Sequence, residues 1–323
     1  MSEARQTKNY VSDRIKYSAI VFAGGLSYGA VASIIKISYT YGFSQQEVFF
    51  SQILFGWLIF LSIVLGRLLF AGKKIHATAK QAIKLVLSGF VNAGTTIFYT
   101  YSLTRLDASL AITMLFQFTW MGILIQAITT KSKPSLPHIV SAFIIFAGTV
   151  LASGMYAGTR GNFDLIGITF GLIAALCCAL FMYLSGSVAL ELHVVDRSFF
   201  FATGALIVAL FVFPGFFASG ALEAGVWKTG LLLGFLSLVI PVFLFSLATP
   251  HLPSGLSTIM ASSELPMSIL CAIMILGEYV APLRLLGVAV ILVGIVVAQL
   301  NTLNVAKRLE EMYGKQAGKS RRR

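Results

Sequence analysis

Long apolar runs separated by short polar stretches give this chain its rhythm. Ten runs can be read, at about 17–38, 47–70, 83–103, 108–129, 136–155, 164–186, 198–219, 228–248, 253–276 and 281–302. At about 1.5 Å per residue, each can cross a ~30 Å hydrocarbon core as a helix. The alternation expected of membrane barrel strands is absent. The pattern therefore predicts an all-α membrane protein with ten transmembrane helices. Composition agrees, since the chain is 57% hydrophobic and only 11% charged. A soluble domain of this length needs about twice that charged fraction.

A formal charge of +12 would suggest nucleic acid in a soluble protein. Here the basic residues sort by loop. With the N-terminus inside, the cytoplasmic segments hold Arg5, Lys8, Arg14, Lys16, Arg67, Lys73, Lys74, Lys80, Lys84, Lys131, Lys133, Arg197 and seven more in the C-terminal tail. Only Lys36, Arg105, Arg160, Lys228 and Arg284 fall at the opposite ends. That bias obeys the positive-inside rule, predicts cytoplasmic N and C termini, and gives the charge a topological role without nucleic acid. The expected location is a cell inner or plasma membrane, with the basic segments against anionic lipid. The first apolar run lacks an A-x-A cleavage site and reads as a retained helix. Cys177, Cys178 and Cys271 lie within apolar runs and suggest neither disulfides nor a metal site.

The sequence also aligns with itself at an offset of 146 residues. Gly25-Leu26 then meets Gly171-Leu172, Leu110 meets Leu256, Met114 meets Met260, Ile123-Leu124 meets Ile269-Leu270, and Gly148 meets Gly294. Apolar identities arise easily, but a constant offset across five runs predicts a duplication. The expected divisions are a cytoplasmic segment 1–16, a first repeat 17–155, a second repeat 156–302 and a basic cytoplasmic tail 303–323. Five helices per copy is an odd number, so the second copy enters the membrane inverted. Two inverted five-helix repeats are a recurrent build of secondary transporters. No H-E-x-x-H, P-loop or Cys/His cluster supports an enzyme, so no catalytic residue, metal or cofactor is expected.

The stretch "LSYGAVASIIKISYTYGFS" (Leu26–Ser44) resembles the first helix of EamA-type transporters of the drug/metabolite transporter superfamily. "FYTYSLTRLDASLA" (Phe98–Ala111) resembles the end of their third helix and the start of the fourth. "ELPMSILCAIMILGEYVAPLRLLGVAVILVGIVV" (Glu264–Val297) is similar to their closing signature of proline, apolar run, L-G-E and G-x6-G. The resemblance implies a five-plus-five inverted-repeat carrier of small metabolites, often moved outward. Tyr28, Asn92, Tyr99 and Gln117 fall on helices that line the cavity in that family, and helices five and ten form a supporting layer. The first copy departs from the signature, with Trp120 and Ser132 where proline and the acid of L-G-E would stand. Gln52 stands where the family often has Arg.

Glu264 is the sharpest single signal. An acid at mid-bilayer costs about 2.5–3.5 kcal/mol on insertion scales, so it should face the bundle interior or a wet cavity. Met260, Ala261, Met267, Ser268 and Cys271 share its helical face and are small or soft. Pro266 removes an N–H and crowds the Ser262 carbonyl, predicting a kink that Ser262 and Ser263 partly satisfy. An acid beside a freed carbonyl suits a proton, a cation or a substrate ammonium. Phe118 and Trp120 align with Glu264 and Pro266, predicting a cavity acidic on one wall and aromatic on the other, which favours organic cations.

The expected binding set is Glu264, Ser263, Met260, Tyr28, Asn92, Tyr99, Gln117 and Trp120, with Glu264 also coupling protons. Lys36 either snorkels to the headgroups or acts as a gate or partner for a substrate carboxylate. Glu278 is expected to fix the turn before helix ten, together with Arg284. The expected function is secondary transport or export of amino-acid-like molecules, amines or organic cations by alternating access. The rivals are an uncoupled facilitator and a non-transporting scaffold or receptor, which would tolerate Glu264→Gln. Expected partners are a small-molecule substrate, protons and the lipid bilayer. A duplicated chain has no need of a dual-topology dimer, so a monomer is expected.

Overall fold

The computed structural model describes residues 2–106, 108–154 and 164–299. Asp107, Arg160, the boundary expected at 155/156 and the basic tail lie outside the described residues. Among the described residues, ten helices are long and apolar enough to span a membrane. They are α1 (Ser12–Thr40), α2 (Gln45–Ala71), α3 (Ala79–Leu103), α4 (Leu110–Thr130), α5 (Leu136–Ser153), α6 (Leu165–Ser185), α7 (Val194–Val212), α8 (Val226–His251), α9 (Ser254–Leu276) and α10 (Pro282–Gln299).

Local chemistry sets several of these ends. Ser44 and Glu47 form a capping box at the start of α2, and Thr78 and Gln81 form another at α3. Asp164 caps α6 by accepting from Ile166 and Gly167, and it pairs with Arg105 at 3.0 Å. The Arg105 hydrogen bond, together with these backbone donors, holds the Asp164 carboxyl below the usual carboxylate range. α7 differs most from the run read at 198–219. It begins earlier because His193 caps it, and it ends at Val212 because Phe213 is extended before Pro214. The following turn tucks Phe216 against Phe50, with ring centroids 4.2 Å apart.

The packing recurs in pairs. α1 lies against α8 and α9, as α6 lies against α3 and α4; α2 packs on α7 and α8, as α7 packs on α2 and α3. Each relation becomes its counterpart when five is added to or subtracted from the helix numbers. Individual contacts repeat at the 146-residue offset as well. A methyl added to Gly148 would strike Ile291, and one added to Gly294 would strike Ile145, which is the reciprocal contact. The absence of Cβ there lets α5 and α10 touch backbone to backbone. Trp57 and Thr203, also aligned at this offset, hydrogen-bond each other across α2 and α7 at 3.0 Å.

Among the described residues, α8 passes through a π-helical stretch at Phe235–Val239, and two further spans are broken by a turn. α9 consists of helices Ser254–Ala261 and Glu264–Leu276, and α4 of helices Ala108–Leu115 and Phe118–Thr130. The breaks at 262–263 and 116–117 stand at aligned positions. Phe70, Phe211, Met274 and Tyr279 are each more than four-fifths exposed, an apolar exterior suited to lipid.

Candidate functional site

The site begins with the break in α9. Pro266 cannot donate, and the backbone tightens before it: Ser262 N–H bonds Ile259 O at 3.2 Å and Ser263 N–H bonds Met260 O at 3.3 Å. Ser262 Oγ donates to Thr258 O one turn back, while Ser263 Oγ crosses to Phe22 O on α1 at 2.8 Å. Glu264 therefore opens the second half-helix. α1 presses against this point through Gly25 and Gly29, whose missing side chains leave room for the carbonyls of Ala261 and Glu264. The spacing Gly25-x-x-x-Gly29 carried that information in the sequence. The same pentapeptide fits G-x-S-x-G, but Ser27 lies within a helix and donates to Leu236 O at 2.7 Å. A nucleophile elbow needs a strand-to-helix turn instead.

Glu264 faces a chamber of about 260 Å³. Its lining includes Tyr28 from α1, Gln52 from α2, Asn92, Thr95 and Tyr99 from α3, Phe118 from α4, and Phe245 from α8. The Tyr28 and Asn92 side chains lie near enough to interact. The Glu264 carboxylate makes no hydrogen bond or ion pair among the described residues. A vestibule of about 730 Å³ adjoins the chamber, and the two share Ala32, Ile35, Gln52, Thr96 and Tyr99 as walls. Lys36, Glu278 and Arg284 lie around this vestibule. Lys36 Nζ pairs with Glu278 Oε1 at 2.6 Å. Arg284 instead donates from Nε to Ala152 O at 2.8 Å, which corrects the expected Glu278–Arg284 pairing. The reason is topological: Glu278 follows the end of α9, which lies on α1, while α10 carries Arg284 onto α5.

The opposite end of the bundle is shut. There α4 and α9 are fastened by Gly255 N–H to Gln126 Oε1 at 3.0 Å, Thr258 Oγ1 to Thr119 O at 3.2 Å, and Ser254 Oγ to Gly122 O at 3.3 Å. Arg197, counted above among loop cations, is only 2% exposed. Its guanidinium donates to the carbonyl of Ser246 on α8 at 2.9 Å and to that of Ser185 at the end of α6. Arg67 pairs with Asp196, and Tyr17 stacks on His251 with centroids 3.9 Å apart.

Glu264, Tyr28, Asn92 and Tyr99 thus meet around one chamber, and Lys36 lies at its vestibule. Four expected residues line neither cavity. Trp120 is 43% exposed and gives its indole N–H to Gln117 Oε1 at 2.8 Å. Two residues beyond Phe118 on the same half-helix, it sits about 200° around the axis, so Phe118 turns inward and Trp120 outward. Gln117 spends its amide N–H on Thr113 O at 2.9 Å. Ser263 is committed to α1, and Met260 is packed in the core at 2% exposure. Gln52, Thr95 and Phe245 line the chamber without having been expected there; polar residues inside apolar runs were the available signal for the first two.

The class of protein is therefore a ten-span helical membrane protein with an acid-bearing cavity at the junction of two broken helices. Residues 16–154, a little under half of the chain, match the EamA-like transporter family, which belongs to the drug/metabolite transporter superfamily. A solved structure described only as "Crystal structure of protein" superposes with a TM-score of 0.73. The match covers 92% of this chain and 99% of the other at 17% identity, a likeness of fold. Among curated proteins, none matches the chain.

Proposed function

We propose that the protein is a secondary transporter of small amines, amino-acid-like molecules or other organic cations, working by alternating access between inverted repeats 17–155 and 156–302. One observation carries the reading: Glu264 presents a carboxylate with no described partner to a chamber that continues into an open vestibule. A membrane-embedded acid in that setting is a functional group by default. The chamber's aromatic rings suit an organic cation, with attraction worth about 0.5–2 kcal/mol. Proton and ammonium compete for the same carboxylate, so one displaces the other and the two become coupled.

The basic-residue bias supports cytoplasmic termini in a cell inner or plasma membrane. In that orientation the vestibule faces outward and the Arg197 end faces the cytoplasm. The repeat correspondence then forecasts the alternative state. Thr119, Gly122, Gln126 and Thr258, which fasten the closed end, correspond to Leu265, Ser268, Ala272 and Ile112. All four counterparts line the vestibule. Exchange of roles between the repeats would bring α4 and α9 together there and open the Arg197 end. A single duplicated chain supplies both halves, so the transporter works as a monomer.

The test is amine uptake and efflux in proteoliposomes, with and without a pH gradient. Glu264→Gln should fold normally yet lower transport about 100-fold, the weight of a charged contact of ~3 kcal/mol. Wild-type rates in that variant under every gradient would remove the reading.

A further inference from the structure

The chamber's lining includes hydrogen-bonding groups from three different helices that lack a partner among the described residues. They are the Glu264 carboxylate on α9, Gln52 Oε1 on α2 and Thr95 Oγ1 on α3. Gln52 is only 9% exposed, and it lines both chamber and vestibule. Tyr28 and Asn92, also in the lining, interact with each other. Buried polar atoms are satisfied in nearly all proteins, so orphans on residues that line a chamber call for a ligand of matching chemistry. Each of the three can accept, and the first two offer oxygen acceptors only.

We infer that the chamber selects a primary ammonium group, with Gln52 and Thr95 as its selectivity residues beside Glu264. This rests on the cation-transport reading above and adds the donor requirement. A primary ammonium carries one charge and three N–H donors on a single small centre, enough for Glu264, Gln52 and Thr95 together. A quaternary ammonium carries the same charge without donors, and its entry would leave Gln52 Oε1 and Thr95 Oγ1 dry and unpaired. Sites built to hydrogen-bond a group reject analogues that lack it far more strongly than apolar pockets reject a misfit. Tyr99, Phe118 and Phe245 remain available to the hydrocarbon part of the ligand.

The experiment measures binding of phenethylamine and of its N,N,N-trimethyl analogue to the purified full-length protein. The wild type should prefer the primary amine by about tenfold or more. Gln52→Leu and Thr95→Val should each erode that preference by weakening the primary amine alone, and Thr95→Ser should retain it. Equal wild-type affinity for the two ligands overturns the inference without any variant having to fold. Equal weakening of both ligands by either substitution overturns it too. If both bind alike and Glu264→Gln weakens both, the cation reading survives and the donor requirement falls. If neither binds the wild type, both fall together.

Discussion

The two ends of the bundle are built from corresponding helices and are in opposite conditions. At the Lys36 end, α4 and α9 stand apart around a vestibule of about 730 Å³, and Lys36 and Glu278 form an ion pair on its rim. At the Arg197 end the same two helices are tied through Gln126, Thr119 and Gly122, with Arg197 buried beneath them. The open end carries a pair that is 58% and 42% exposed, while the shut end carries a cation nearly sealed from solvent. An exposed pair is worth about 0–1 kcal/mol. The buried guanidinium holds two helix carbonyls, and its removal would leave both without that donor. In this conformation the Arg197 end is the more tightly packed of the two.

The largest test of the comparison is to close the open end. Ile112→Cys with Ser268→Cys, in a chain whose native cysteines are serine, should cross-link under oxidation and stop amine transport, and reduction should restore it. Failure to cross-link while the protein transports would break the repeat correspondence. Next is Arg197→Met, expected to cost about 3 kcal/mol of stability and to raise labelling of Gln52→Cys by reagents applied from the Arg197 side. Thermal unfolding in detergent and the labelling rate give the two readings. Gly29→Ala should cost about 1–3 kcal/mol, because its methyl meets the Glu264 carbonyl and Met267 and pushes α1 off the α9 break. Unchanged stability and transport would show that α1 has slack at that contact. Lys36→Met should have the smallest effect, at most about 1 kcal/mol and vanishing in high salt. Any larger loss of transport would make this lysine more than a rim contact.

The spans were legible in the sequence because a membrane demands long apolar runs whatever their neighbours. The constant 146-residue offset pairs Gly148 with Gly294, and their contacts with Ile291 and Ile145 are reciprocal at that same offset. Glu264 was legible for a related reason, since an acid in that solvent is costly enough to require a setting. The break in α4 was not, because no proline marks it. It is held by Gln117 and Thr119 side chains returning to the backbone at Thr113 and Phe116, and other polar residues leave helices intact. Nor could the sequence tell Phe118 from Trp120, since which side of a half-helix meets the chamber is decided by the turn at the break. The burial of Arg197 was not legible, because charge alone does not distinguish a surface cation from one drawn inward by the carbonyls of Ser185 and Ser246.

The two breaks are alike in backbone but differ in side-chain chemistry: Glu264 follows one and Phe118 the other. Under the proposed exchange this sets a stoichiometric ceiling. A single carboxylate can trade one proton for one monovalent ammonium per cycle, with no net movement of charge. The membrane voltage then does no work on the cycle. The steepest concentration ratio it can sustain is about tenfold per unit of pH difference across the bilayer, one factor of ten for each ~1.4 kcal/mol.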